Sequence, residues 1–245
     1  MLRALIFDVD GTLADTEELH RQAFNAAFAE VGRDWHWDSA SYTQLLNISG
    51  GKERILHYWR QRQPDLVALD GSALQDSVER MHALKLAAYE RMVQDGAVQL
   101  RPGVLSLIEA ASAAGLRLAI ATTTSPANIG VLLRSAIGPD WRHHFQLVED
   151  ASTAARKKPH PQVYRQTLER LQLPASACLA FEDSANGLQA ALGAGLATIV
   201  TPTGYTAAHD FSRALRCLPS LAGIGLAHLR EWHRQALTCA PATAG

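Results

Sequence analysis

The residues of this sequence that could carry out chemistry are acidic, hydroxyl and amine side chains that follow apolar stretches. Asp8 and Asp10 come directly after an apolar run, and Gly11 behind them permits a sharp turn of the backbone. At such a turn a carboxylate and a neighbouring carbonyl can converge on a hard cation such as Mg2+. The pattern predicts a strand that ends in an acidic site, with Asp8 and Asp10 as metal ligands.

Further polar groups are expected at the same edge of a sheet. Thr122 and the adjacent acids Glu182 and Asp183 end later apolar stretches, and Lys158 lies in a loop that leads into a helix. Ligands of open parallel sheets bind beyond the carboxyl ends of the strands, so these groups should face one site. Acids, a hydroxyl and a lysine together suit an anion and a divalent cation. We therefore expect Glu182 and Asp183 to complete the metal site, and Thr122 and Lys158 to be catalytic.

Strands alternate with helices in the second part of the chain, which is typical of a parallel sheet with crossover connections. The apolar runs predict strands at 5–7, 116–121, 145–148, 178–181 and 196–200. The helical periodicity predicts helices at 104–114, 126–137, 161–171 and 184–192, and helical character towards Trp232. The tail after Cys239 is expected to be frayed.

About 100 residues separate the first predicted strand from the second, far more than a normal connection needs. Apolar residues at three- and four-residue spacing predict helices at 15–31 and 72–94, with shorter helical pieces between them, one closed by Pro64. Nothing in this interval has the pattern of a strand. We expect a helical domain at 15–100, inserted into an α/β core made of 1–14 and 101–245.

Composition excludes several classes of function. The 245 residues include 23 Lys and Arg against 24 Asp and Glu, so the net charge of −1 gives no reason to expect nucleic acid or an anionic membrane as partner. The start of the chain is too weakly apolar for a signal peptide, and no apolar run reaches the length of a membrane span. The three widely spaced cysteines suggest neither disulfides nor zinc, and Cys178 reads as a core residue. A cytoplasmic monomer is expected.

Four motifs occur in order along nearly the whole chain. They are Asp8-Val9-Asp10-Gly11-Thr12, a strand ending in Thr122, Lys158-Pro159-His160-Pro161, and Glu182-Asp183-Ser184-Ala185-Asn186-Gly187. This set resembles the motifs of the haloacid dehalogenase superfamily. The helical insertion resembles the cap of its group that contains β-phosphoglucomutase, phosphoglycolate phosphatase and CbbY. Within that group Glu17, the segment 49–54 and the segment 121–125 look most like the CbbY sugar bisphosphate phosphatases.

The resemblance implies a Rossmann-like doubly wound parallel sheet with an inserted all-helical cap, and a Mg2+-dependent phosphatase. For the CbbY group it implies xylulose 1,5-bisphosphate as substrate and a link to carbon fixation in the Calvin cycle. The chemistry follows from the residues as well: Asp8 would attack phosphorus and form a phosphoaspartate, while Asp10 would protonate the leaving sugar oxygen and later activate water. Thr122, the Thr123 amide and Lys158 would stabilise the phosphoryl oxygens.

Substrate choice is expected to come from the cap. Gly50 and Gly51 before a helix offer backbone donors, and Lys52 and Arg54 add two cations, which together suit a second phosphate. Glu17 could accept a hydrogen bond from a sugar hydroxyl. The remaining candidates for substrate binding are Tyr42, Arg101, Thr123, Thr124 and Asn186, with His20 as a weaker one.

Other functions stay open at this point. A mutase of the β-phosphoglucomutase kind and a phosphoglycolate-type phosphatase share the motifs, although Thr12 favours a phosphatase over the mutase. Phosphonate cleavage would need a Schiff base at Lys52, and a dehalogenase would leave Asp10 without a task. A receiver-type phosphoacceptor is disfavoured by the large insertion and by the nucleophile at the first strand. Gln162, where many relatives carry Asp, leaves the surroundings of Lys158 open.

Overall fold

A parallel sheet forms the centre of the protein. The computed structural model describes residues 1–63, 71–96 and 98–239, and within these ranges the sheet has six strands in the order β3-β2-β1-β4-β5-β6. The strands are β1 (Ala4–Phe7), β2 (Arg117–Ala121), β3 (Leu147–Glu149), β4 (Cys178–Glu182), β5 (Ala197–Val200) and β6 (Arg216–Cys217). The strand order changes direction at β1 and β4, which confirms the doubly wound fold and marks the usual ligand-binding edge.

Both faces of the sheet are covered by helices, so its strands are apolar throughout. In β1 the side chains of Leu5 and Phe7 pack into one apolar cluster, and those of Ala4 and Ile6 pack into another. This alternation is the two-residue period of a strand. The covering helices are α5 (Val104–Ala113), α6 (Pro126–Ala136), α7 (Gln162–Leu171), α8 (Ala185–Gly193) and α9 (Leu226–Cys239).

The strand register aligns the polar ends of the central strands. Phe7 pairs with Ile120 of β2 and with Phe181 of β4. Asp8 therefore stands level with the carboxyl ends of both neighbours, where Thr122 and Glu182 follow. This alignment brings residues from distant parts of the sequence to one edge of the sheet.

An all-helical cap is inserted between β1 and β2. Its helices are α1 (Glu17–Glu30), α2 (Ser39–Leu45), α3 (Gly51–Arg62) and α4 (Gly71–Gln94). The cap has its own apolar cluster, rich in aromatic rings, with Phe24, Phe28, Trp35, Trp37 and Trp59 among its buried members. Where the chain enters and leaves the cap, the two connecting segments run side by side, because the Arg101 amide donates to the Leu13 carbonyl at 2.8 Å.

The structure differs from the sequence-based expectation at few elements. The short strand β6 was not expected, because Arg216 and Cys217 form no apolar run. Cys178 is buried in the core, as expected. The expected helix end at Pro64 and the frayed tail after Cys239 lie outside the described residues, and the domain limits at 14/15 and 100/101 stay predictions. Among the described helices none combines the length and the apolarity needed to cross a membrane.

Candidate active site

Asp8 lies at the buried centre of the sheet edge and is paired with a lysine. The Lys158 ammonium donates to Asp8 Oδ1 at 2.6 Å and to Glu182 Oε1 at 2.6 Å. The side chains of Lys158 and Glu182 are 5% and 1% exposed, so both ions are almost fully withdrawn from water. The Tyr164 hydroxyl also donates to Glu182. Although burial opposes its charge, Lys158 has a raised pKa because Asp8 and Glu182 stabilise the ammonium form. Lys158 therefore remains positive beside Asp8.

The acidic groups at this edge carry more negative charge than the lysine neutralises. Carboxylate oxygens of Asp8, Glu182 and Asp183 lie within 4.8 Å of one another, and all three residues are buried. With Lys158 as counter-ion, two negative charges remain uncompensated. Burial accordingly raises the pKa of Asp8 and of Asp183, and raises that of Glu182 to about 7. Within the described residues, Glu182 Oε2 is buried without a hydrogen-bond partner. An oxygen cluster of this charge fits a hard divalent cation.

Two glycines allow these carboxylates to approach the backbone. A Cβ atom on Gly187 would lie 1.8 Å from Glu182 Oε2, and one on Gly11 would lie 2.3 Å from Asp183 Oδ2. Gly11 also has a φ of +76°, a conformation that L side chains rarely adopt. The Gly in each of these two motifs is thus explained by the space that a carboxylate of the buried acidic cluster occupies.

Asp10 points towards groups that come mainly from the cap. Its Oδ1 accepts hydrogen bonds from Thr16 at 2.7 Å and from His20 Nε2 at 3.0 Å, and Thr124 donates to its Oδ2. Burial alone would raise the pKa of Asp10, but His20 and these donors hold it well below its ordinary value. Asp10 is therefore a carboxylate in this structure.

The opposite side of the His20 ring contacts a buried lysine. Lys85 Nζ lies 2.8 Å from His20 Nδ1, and the ring is stacked on Tyr89 at a centroid distance of 4.2 Å. Burial lowers the pKa of Lys85 to about 8. A chain of polar contacts thus leads from Asp10 into helix α4.

A cavity of about 500 Å3 opens above these groups, between the sheet edge and the cap. Core residues lining it include Asp8, Asp10, Thr122, Thr123, Thr124, Lys158, Glu182, Asp183 and Asn186. Cap residues lining it include Glu17, Gly50, Gly51, Lys52, Arg54, His82 and Lys85. Most residues expected from the sequence therefore meet in one cavity, with acids at the sheet edge and cations on the cap.

Tyr42 and Arg101 are not among the residues that line this cavity. The Arg101 guanidinium donates to the carbonyls of Gly11, Thr201 and Pro202, so it holds the loop after β1 and the loop after β5 together. Its distance to the Pro202 carbonyl is 2.9 Å. Arg101 therefore supports the turn that carries Gly11. Its guanidinium contacts loop carbonyls and does not line the cavity.

The contacts of Tyr42 support two cavity residues. Its hydroxyl donates to Glu17 Oε2 at 2.9 Å and accepts from Arg54 Nη1 at 3.1 Å. Arg54 donates in addition to the Leu45 and Ile48 carbonyls, each at 3.1 Å. Tyr42 therefore orients the side chains of Glu17 and Arg54.

Polar contacts hold the cap against the core around the cavity. Lys157, next to Lys158 in sequence, pairs with Glu53 of α3 at 2.5 Å. The Asn186 amide donates to the Asn47 carbonyl at 3.1 Å, just beyond the acidic motif. In this arrangement cap residues complete the walls of the cavity.

Residues 2–195 match the family of haloacid dehalogenase-like hydrolases. The chain belongs to that family. It is 50% identical over 252 residues to protein CbbY of Cupriavidus necator, covering 96% of this chain and 98% of that protein. A crystal structure of CbbY from Rhodobacter sphaeroides in complex with phosphate superposes with a TM-score of 0.84 at 43% identity, covering 94% of this chain and 100% of that one.

A variant of the same Rhodobacter sphaeroides CbbY was solved in complex with xylulose-(1,5)-bisphosphate, and it superposes with a TM-score of 0.85 at 43% identity. It covers 94% of this chain and 99% of that one. As a haloacid dehalogenase-like hydrolase, this protein is an enzyme, and its relatives support a phosphatase.

Sequence reasoning missed some groups of this haloacid dehalogenase-like site. Lys85 carried a signal, because it stands on the buried stripe of α4 between Met81 and Ala88, where an apolar residue is expected. A lysine at such a position needs a buried partner. The sequence contains no comparable signal for His82 or Tyr164, because neither residue type is unusual at its position in its helix.

Proposed function

We propose that this protein is a Mg2+-dependent phosphatase that acts on a small phosphorylated sugar through a phosphoaspartate at Asp8, and that its substrate is xylulose 1,5-bisphosphate. The observation that carries the proposal is the buried cluster of Asp8, Lys158, Glu182 and Asp183, which opens into a cavity lined by cations. Such a cluster can bring an anionic nucleophile and an anionic phosphate together, because its charges are fixed before the substrate arrives.

In the first step an Asp8 oxygen attacks phosphorus, and the bond between phosphorus and the sugar oxygen breaks. The Lys158 ammonium, already within 2.6 Å of Asp8, is placed to neutralise charge on the phosphoryl oxygens. Thr122 and the Thr123 amide follow β2 at the same edge and supply neutral donors. The leaving sugar oxygen takes a proton from Asp10, for which the contacting His20 ring is the nearest proton source.

In the second step water attacks phosphorus, and the bond to Asp8 breaks. Asp10 accepts the proton of the attacking water as a carboxylate, the form favoured by its hydrogen bonds from Thr16, His20 and Thr124. The proton that Asp10 then holds returns to the His20 ring, so that product release leaves Asp8 and Asp10 as at the start. The cap excludes other water while the phosphoaspartate exists, because its residues form part of the cavity wall.

The Mg2+ ion would be held by Asp8, Glu182 and Asp183, with the Asp10 carbonyl as a further predicted ligand. When bound, Mg2+ supplies positive charge that offsets the repulsion between nucleophile and phosphate. Its charge equals the two negative charges that Lys158 leaves uncompensated.

The choice of a sugar bisphosphate is supported by the cap and by the relatives. Glu17 lines the cavity as an acceptor for a sugar hydroxyl, and Lys52 and the α3 amino terminus offer donors for a second phosphate. The CbbY of Rhodobacter sphaeroides, 43% identical, was solved with xylulose-(1,5)-bisphosphate.

Phosphate release measured on a panel of sugar monophosphates and bisphosphates, with and without Mg2+, tests the proposal. We expect Mg2+-dependent turnover with the highest kcat/KM for xylulose 1,5-bisphosphate. Conversion of β-glucose 1-phosphate to glucose 6-phosphate, followed in parallel, would instead make the enzyme a mutase. Equal kcat/KM values for all sugar phosphates would refute the bisphosphate substrate while keeping the phosphatase.

The nucleophile is tested separately. Asp8→Asn should abolish both turnover and the acid-stable, base-labile phosphoprotein signal, because an amide cannot attack phosphorus. Asp140→Asn makes the same chemical change at an exposed position and should leave both unchanged. Hydrolysis that survives Asp8→Asn would rule out the phosphoaspartate at this residue.

A further inference from the structure

His82 is a histidine of helix α4 that lies outside the four motifs, and it lines the same cavity as Asp8. Its ring packs over the amino terminus of α3, since a Cβ atom on Gly51 would lie 2.7 Å from His82 Nε2. Within residues 1–63, 71–96 and 98–239, no hydrogen-bond partner of the ring is found. The ring is therefore available to a ligand.

The cations near His82 are less available. Lys52 is paired with Glu79 at 3.1 Å, and Lys157 is paired with Glu53 at 2.5 Å. The Arg54 guanidinium donates hydrogen bonds to the Tyr42 hydroxyl and to two carbonyls. The cavity wall thus has positive charge, but each of these three cations already has a protein partner before a ligand enters.

We propose that His82 binds the second phosphate of the bisphosphate substrate, as an imidazolium that forms when this phosphate enters the cavity. The inference rests on the proposed function, and it names the residue that distinguishes bisphosphates from monophosphates. An imidazolium adds a new charge and a charge-assisted hydrogen bond at a place where the other cations are already paired. The amides at the start of α3 lie beside the same ring and can donate to the same phosphate.

The charged groups that surround His82 affect its pKa and therefore the pH range in which the ring is protonated. They come from α3, from its own helix and from the core loop before Lys158, and they are Lys52, Glu53, Glu79, Lys85 and Lys157. Burial together with the nearby lysines lowers the pKa of His82 to about 4, so the ring is neutral at pH 7 in the free enzyme. A phosphate dianion favours the imidazolium and raises this pKa. Binding is therefore coupled to uptake of a proton.

The sign of the pH dependence follows from this coupling. The His82 contribution to affinity is complete below the pKa of the free enzyme, and it is lost as the pH rises through the higher pKa of the complex. The phosphate titrates as well, but it does so in every variant. The ratio between the parent protein and a His82 variant isolates the histidine.

Binding measured in an Asp8→Asn background, which removes turnover, tests the proposal. Isothermal titration calorimetry with Mg2+ gives Kd for xylulose 1,5-bisphosphate and for the xylulose monophosphate whose only phosphate is the one that the parent enzyme removes at Asp8. His82→Ala should weaken bisphosphate binding by about tenfold to a hundredfold, the range for loss of a charge-assisted hydrogen bond, and leave monophosphate binding within about twofold. His57→Ala removes an exposed histidine of α3 and should change neither value.

The possible results distinguish a failure of the bisphosphate substrate from a failure of the His82 assignment. If the Asp8→Asn protein itself binds both sugars equally, the bisphosphate substrate of the proposed function fails. If it prefers the bisphosphate and His82→Ala keeps that preference, the assignment of His82 is refuted alone. A thermal melt shows whether the variant is folded, and retained monophosphate binding is an independent sign of an intact site.

The protonation step has its own readout. The affinity lost on His82→Gln, which keeps a polar side chain that does not titrate, should be larger at pH 6 than at pH 9. An equal loss at both pH values would refute the imidazolium.

Discussion

Replacing Gly11 by alanine should damage the proposed metal site more than the fold. Gly11 has a φ of +76°, and a left-handed conformation costs an L residue about 1–2 kcal/mol. Its new Cβ would lie 2.3 Å from Asp183 Oδ2, whereas ordinary contact begins near 3.4 Å. Asp183 must therefore shift by about 1 Å, a displacement of the size that can cost about a hundredfold in rate when it affects catalytic geometry.

Gly32→Ala is a matched control for the free-energy cost of placing an alanine at a positive φ. Gly32 has a φ of +71°, close to that of Gly11, and a Cβ atom there would meet nothing within 4 Å. Gly32→Ala should thus carry the conformational cost without displacing a ligand. For a protein of this size, that cost corresponds to a fall in Tm of about 2–8 °C.

The assay combines thermal melts with a Mg2+ titration of phosphatase activity. We expect both variants to lose stability, and Gly11→Ala alone to need about tenfold to a hundredfold more Mg2+ for half-maximal activity, with a lower kcat. If Gly11→Ala matches Gly32→Ala in its Mg2+ requirement and kcat, Asp183 is not the ligand that the geometry suggests.

Three further variants or treatments have defined outcomes. Lys158→Met leaves buried carboxylates without their counter-ion and should lower the free energy of unfolding without metal by about 3–5 kcal/mol; urea titrations with and without Mg2+ would show whether the ion restores it. Arg101→Leu should lower Tm and leave KM unchanged, because its guanidinium holds loop carbonyls; a raised KM in steady-state kinetics would return it to the binding residues. Burial raises the pKa of Cys178 to about 11, so iodoacetamide at pH 8 should label the exposed Cys217 and spare Cys178, as judged by peptide mass mapping; equal labelling would contradict a closed core.

The parallel sheet was predictable because its strands are buried on both faces and therefore form continuous apolar runs. The acids and hydroxyl at the strand ends were predictable for the same reason, since they interrupt those runs at a defined edge. The strand β6 was not, because two residues without an apolar pattern pair with β5 only through the folded register.

The cap side of the site could not be derived in the same way. Lys85 lies 65 residues from His20 in sequence, and no sequence pattern around either residue indicates that the two side chains meet. Arg101 was expected in the cleft because it precedes the core, but three carbonyls of two loops hold its guanidinium. Positions of this kind depend on how the cap lies on the core, which a pattern along one segment does not contain.

The aromatic cluster of the cap allows unfolding of the cap to be followed by intrinsic tryptophan fluorescence. Of its five tryptophans, Trp35, Trp37 and Trp59 belong to this cluster, while Trp141 and Trp232 lie outside it. Intrinsic fluorescence is therefore weighted towards the inserted helices, whereas catalytic activity requires the sheet edge as well. Recording both signals along one denaturant gradient would separate loss of the cap from loss of the core without any added label.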